Sequence, residues 1–227
     1  MNEDNTVYEN TTCTVGDDLI LPTPPTKRGY TFAGWRAANI QQIEYLQSTG
    51  TQWIDTGVVP NQDTGVKIKA KFNSIYNSDT SLFGSGQSAR NRTFEFYLWN
   101  GRPSFNYDNY NYEDNIAIKI GDMIIIDWNK NIIDYSINDT SKPTITRPYR
   151  DFYTPYTMGL FAVQRPEGVS IGKVSIYLFQ IWQDDILVRD FIPVIKDGTP
   201  CMFDKVEGKF YYNAGTGDFI AGPVLTE

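Results

Sequence analysis

The 227-residue sequence predicts an all-β fold, two antiparallel sheets stacked as a jelly-roll sandwich, with a small N-terminal β appendage. Three features carry that expectation. Short apolar–polar alternations with a period of two recur along the chain, the pattern of strands with one buried face. No stretch holds a helical apolar stripe over three turns. Aromatic residues reach 15%, with 15 Tyr, 13 Phe and 5 Trp, and flat rings pack well on a pleated surface. At least nine short strands with polar turns need two sheets, because each twisted sheet must bury one face against another.

Residues 1–39 read as two short β runs broken by Gly and Pro, too small to hold a core alone. The only helix candidates are short pieces near Ala37 to Gln47. From 40 to 227 the main domain begins, and Val66, Ile68, Ala70 and Phe72 alternate with Lys67, Lys69 and Lys71. Thr93–Trp99 alternates as well: Phe94, Phe96 and Leu98 take the core parity, which leaves Glu95, Tyr97 and Trp99 facing outward. Asp122–Trp128 and Ile132–Ile137 predict a hairpin around Asn129-Lys130-Asn131. Further strands are expected at 156–162, 172–182, 186–192, 210–213 and 219–220, the second and third of these joined at Gln183-Asp184-Asp185.

Composition removes several functions. With 27 acidic and 20 basic residues, a formal charge of −7 and a pI near 4.7, the chain has no concentrated basic face for nucleic acid or an anionic membrane. No apolar window is long enough for membrane insertion. There is no His, so the commonest metal ligand and general base are absent. Cys13 and Cys201 lie far apart, which excludes a zinc motif, and each reads as a small buried residue. Met1 to Asn5 lacks the regions of a secretory signal, so export would be encoded outside this chain or delivery would come by assembly into a particle. Asn10, Asn91 and Asn138 stand in glycosylation-type triplets, which arise by chance in an Asn-rich chain.

Two phrases carry resemblances. Gly16, Leu19, Leu21 and Pro22, followed by Gly29, Tyr30, Phe32, Gly34 and Trp35, closely resemble the back half of the Listeria–Bacteroides repeat, the B-repeat of internalin-type surface proteins. Such repeats are spacers in exported bacterial or phage proteins, so the resemblance implies a location and no chemistry. The opening Ile43–Gly57 and the close Arg189–Val194, Met202–Gly217 and Gly222-Pro223 resemble a concanavalin A-like (laminin-G-like) jelly-roll module of gut-bacterial surface and phage structural proteins. That resemblance implies a lectin- or glucanase-type sandwich on a virion or bacterial cell surface. It implies a glycan or protein receptor as partner and a homo-oligomer where the module is part of a fibre. Fold does not settle function, which lives in the site.

A glycanase needs two carboxylates about 5–10 Å apart, and glucanases of this superfamily carry a Glu-x-Asp-x-x-Glu strand motif. No such motif is present: Glu95 has no acidic residue two or four positions away, and Asp122 and Asp184-Asp185 read as caps and turns. No catalytic residue is assigned. No cofactor is expected either. Calcium is the one ion for which Asn61–Thr64 and Asp108–Asn115 offer oxygens, and neither loop follows a known calcium spacing. The binding candidates are aromatic. Tyr97, Trp99, Tyr107, Tyr110 and Tyr112, with Phe105 among them, interleave with Asn100, Asn106, Asp108 and Asn111. Rings stack on sugar C–H faces while amides take hydroxyls. Tyr149, Phe152, Tyr153 and Tyr156 form a second cluster. Gly215, Gly217 and Gly222 read as turn glycines, because no Lys-Ser/Thr follows. The expectation is a non-catalytic glycan-recognition or adhesion module. A structural fibre domain and a glycan hydrolase are the alternatives.

Overall fold

A computed structural model describes residues 39–76, 79–88 and 91–225. The N-terminal repeat read at 1–39, Trp35 and Cys13 included, lies outside those residues except for Asn39. Among the described residues every regular element is a β-strand, and two sheets face each other across one core. No helix there is long and apolar enough to cross a membrane.

The larger sheet runs, edge to edge, Thr140–Ser141, Ile132–Ile137, Met123–Asn129, Thr64–Phe72, Val174–Gln183, Ile186–Lys196, Thr199–Asp204 and Lys209–Tyr211. The smaller runs Gly168–Ile171, Ala162–Arg165, Asp79–Ser88, Asn91–Trp99, Arg102–Asp108 and Tyr110–Glu113. Neighbours are antiparallel except Ala162–Arg165, which lies parallel to Asp79–Ser88 through Val163 opposite Gly84. The alternation of Thr64–Phe72 is realised as a mid-sheet strand: Val66, Ile68, Ala70 and Phe72 are fully buried, and the lysines take the other face. The hairpin around Lys130 forms with Ile132 opposite Asn129, and Lys130 takes a left-handed φ of 54°.

Aromatic side chains join the sheets. Trp128 of the larger sheet stacks on Phe94 of the smaller at 4.3 Å between centroids and meets Phe83 and Phe105 edge-on at 6.2 and 5.9 Å. Phe179 approaches Phe83 at 5.8 Å. Burying rings of this size supplies the main driving force for the sandwich, each contributing about 1.5–3 kcal/mol, and tilted contacts suit their quadrupoles.

The opening and closing phrases of the main domain bind each other. Thr216 N donates to Thr51 O at 3.0 Å, Ala214 N to Trp53 O at 2.8 Å and Gly222 N to Tyr45 O at 2.9 Å. A side chain at Gly215 would place its Cβ 2.0 Å from Thr51 O, so glycine is required there by close approach of two backbones. Where short helical pieces were candidates near 37–47, the described residues from Asn39 onward form strands Ile40–Gln42 and Leu46–Gln47. Pairing of 40–42 with Val194–Lys196 satisfies that backbone, and tertiary context outweighs local propensity.

Candidate functional site

The outer face of the smaller sheet collects polar side chains in cross-strand rows. Antiparallel register sets Asp79 opposite Trp99, and Ser81 opposite Tyr97, Ser104 and Glu113 in turn. The next row is Gly84, Glu95, Asn106 and Asn111. The alternation of Asn91–Trp99 explains this face: Phe94, Phe96 and Leu98 fill the core, so Glu95, Tyr97 and Trp99 point away from it.

Glu95 sits at the centre and is fully buried. Arg165 reaches it from Ala162–Arg165, with Nη2 2.7 Å from Oε1 and Nε 3.3 Å from Oε2, a two-pronged guanidinium–carboxylate pair. Asn106 Nδ2 donates to Glu95 Oε1 at 2.6 Å and lies 3.5 Å from the Tyr97 hydroxyl. The Arg165 guanidinium also lies 5.9 Å from the Tyr97 ring centre. Glycine makes this possible. Gly84 has a φ of 139°, and a Cβ there would fall 2.4 Å from the Glu95 Cβ.

Burial pushes the Glu95 carboxyl above the ordinary range, against the opposing charge and hydrogen bonds of Arg165 and the bond from Asn106. Burial likewise raises Tyr97. Asp79 is raised by burial and partly restored by Arg165, which therefore serves two carboxylates. The Asp79 Oδ1 atom is buried and meets no hydrogen-bond partner. Trp99, directly opposite it in register, is 43% exposed. An exposed indole can stack a sugar ring, and an unsatisfied carboxylate oxygen beside it can accept a hydrogen bond from one of the sugar's hydroxyls.

The residues expected from sequence divide between two faces. Tyr97, Trp99 and Asn106 share the outer face, with Tyr97 only 6% exposed. Asn100 occupies the turn to Arg102–Asp108, left-handed like Gly101 at φ 48° and 77°. Tyr107 is turned inward: it packs edge-on against Phe152 at 4.9 Å and is 1% exposed, so it is a core residue and not a ligand contact. Tyr112 takes the same parity and packs on Phe105. Tyr110 is half-buried beneath Arg150, at the mouth of a depression of about 320 Å³ that also touches Asn111 and Glu113. In the second cluster Phe152 is buried, while Tyr149, Tyr153 and Tyr156 are exposed.

Arg165 and Asp79 were not expected from the sequence. Asp79 opens a Ser/Gly-rich strand and Arg165 closes a short one, so neither stands in an aromatic run. Among the described residues no group of three or more His, Cys, Asp or Glu side chains is arranged to hold a metal. In the first loop considered for calcium, Asn61 Oδ1 accepts from Asp63 N at 2.8 Å and so is spent on a turn.

No family model matches the chain, and no curated protein sequence matches it. Among solved structures it is similar to a Bacteroides ovatus protein provisionally described as carbohydrate-binding, with a TM-score of 0.56 at 7% identity, over 81% of this chain and 60% of that one. The chain thus spans 60% of that protein's length. A CBM40 module of the Ruminococcus gnavus IT-sialidase, bound to α2,3-sialyllactose, aligns with a TM-score of 0.48 and 15% identity over 64% of this chain and 92% of the module. Domain 4 of AbnA, a GH43 extracellular arabinanase from Geobacillus stearothermophilus in complex with arabinotriose, gives 0.41 and 16% over 64% and 82%. At 7% identity the first likeness is one of fold, and the chain is a two-sheet β-sandwich similar to that of the Bacteroides ovatus protein.

Proposed function

We propose that the chain is a non-catalytic glycan-recognition module that binds saccharide on the outer face of its smaller sheet, at the end marked by Trp99 and Asp79. The observation that carries this reading is the unpartnered, buried Asp79 Oδ1 across from an exposed indole. Buried acceptors are nearly always paired, so an orphan beside a stacking platform is suited to a ligand hydroxyl.

A hydrolytic role has weaker support. Glu95 is fully buried, and three hydrogen bonds from Arg165 and Asn106 hold its carboxylate in place, an arrangement better suited to structure than to proton transfer with a leaving group. The setting we infer is adhesion at a virion or bacterial cell surface, supported by the resemblance of residues 16–35 to a surface-protein repeat. Binding of the full chain to an array of bacterial and host glycans, with Trp99→Ala alongside, tests the function. Selective binding lost in the folded variant is the expected result. Silence across the array with the protein folded would overturn it and leave a fibre domain that contacts proteins.

A further inference from the structure

We propose that the outer face of the larger sheet carries a second saccharide-binding cavity, built around Trp182, that takes neutral sugars. It lies on the other sheet from Trp99 and stands or falls independently of that site.

Register again defines the geometry. Asn129, Gly65 and Trp182 form one cross-strand row, and Asp127, Lys67 and Gln180 the next. The intervening positions Val66, Trp128 and Ile181 point into the core, so both rows face outward. Gly65 has no side chain, and the space between Trp182 and Asn129 is therefore open across about two strand spacings, roughly 9–10 Å. A cavity of about 310 Å³ occupies it, the size of a small-ligand site. Gly65 is not in a left-handed conformation, and a Cβ there would meet the Trp128 carbonyl at 3.3 Å and the Trp182 Cβ at 3.5 Å. The missing side chain therefore serves space, and its floor lies beside one edge of the indole.

The polar rim selects the ligand. Lys67 pairs with Asp127 at 3.5 Å at one end. At the other, Lys130 contacts Asp185 at 2.8 Å and Asp63 at 4.0 Å, and the Tyr149 hydroxyl donates to Asp63 at 2.8 Å. Three carboxylates against two ammonium groups leave acceptors in excess. Hydroxyl donors are accommodated and a carboxylated sugar is repelled. A shallower depression of about 350 Å³ shares Asp127 and extends over Asp134, Ser136 and Thr144, which gives a longer saccharide a path beyond the first ring.

The test uses the full chain and its indole N–H resonances, with Trp182 assigned by its loss in Trp182→Phe. Lactose, maltose and cellobiose are the neutral probes, and α2,3-sialyllactose is the acidic counterpart of lactose. We expect a saturable shift of the Trp182 resonance with at least one neutral disaccharide, weakened about tenfold or more in Gly65→Val and unchanged in Trp99→Ala. Asn129→Ala, at an exposed wall position, should weaken it in the same direction if Gly65→Val fails to fold. No Trp182 shift with any neutral disaccharide, a shift with sialyllactose alone, or undiminished binding in the folded cavity variants would overturn the proposal.

Discussion

Asp79 and Trp99 stand opposite each other on adjacent strands, the carboxylate with one oxygen buried and unpartnered and the indole exposed. A buried acceptor without a donor lowers stability, by about 1–3 kcal/mol in general. Asp79→Ala should therefore leave the folded protein as stable as wild type or slightly more so, in urea unfolding, while glycan affinity falls about tenfold or more. A structural role for Asp79 would instead show as lost stability.

Arg165 holds the charge of Glu95 in the centre of the same face. Arg165→Met leaves a carboxylate that is fully buried without its cation, at a cost of about 3–5 kcal/mol. In a double-mutant cycle, Arg165→Met with Glu95→Leu should cost much less than the sum of the two single changes. Additive losses would mean that the pair is not coupled.

Glu95 also gives a pH signature. Burial raises its folded pKa above the unfolded value of 4.5, against Arg165 and Asn106. The folded state then binds more protons within that window, so this group's contribution to stability is most favourable in acid and declines as pH rises through the window. The stability of wild type minus that of Glu95→Gln should fall as pH rises above 4.5 and then level off. A difference that grows with pH would show that the ion pair outweighs burial.

Gly84 permits the whole arrangement. At φ 139°, and with a Cβ only 2.5 Å from the Phe94 carbonyl oxygen, Gly84→Ala combines backbone strain with a clash. It should cost at least about 2 kcal/mol in chemical denaturation and disturb the Glu95–Arg165 pair. A neutral substitution would contradict the close approach of Gly84 to the Phe94–Glu95 backbone.

Cys201 is fully buried, and burial pushes its thiol up to about 12 against the nearby Lys196 charge. In a Cys13→Ser background the folded protein should not react with Ellman's reagent at mildly alkaline pH, and one thiol should appear on denaturation.

The sequence was legible where one physical signal dominated. Ile132–Ile137 and the strand through Val66, Ile68, Ala70 and Phe72 were readable because alternation coincides with one buried face. Asp79–Ser88 was not, because its outward positions include Gly84 and Gly86, which yield space to Glu95 and Thr93 and so erase the pattern. Arg102–Asp108 was hidden by Pro103, which is tolerated because pairing with Tyr110–Glu113 begins one residue later, at Ser104. At the site, parity placed Tyr97 and Trp99 correctly on the outer face. The same aromatic run misled at Tyr107, whose strand points it into the core. Asp79 and Arg165 reach the face from other strands, a long-range pairing that local pattern does not encode.

The most direct test of glycan recognition at the Asp79–Trp99 end is calorimetric titration of the strongest array glycan into wild type, Trp99→Ala and Asp79→Ala. Saturable binding by wild type and at least about tenfold weaker binding by each folded variant are expected. Equal affinity in all three would contradict recognition at that end and move it elsewhere on the molecule.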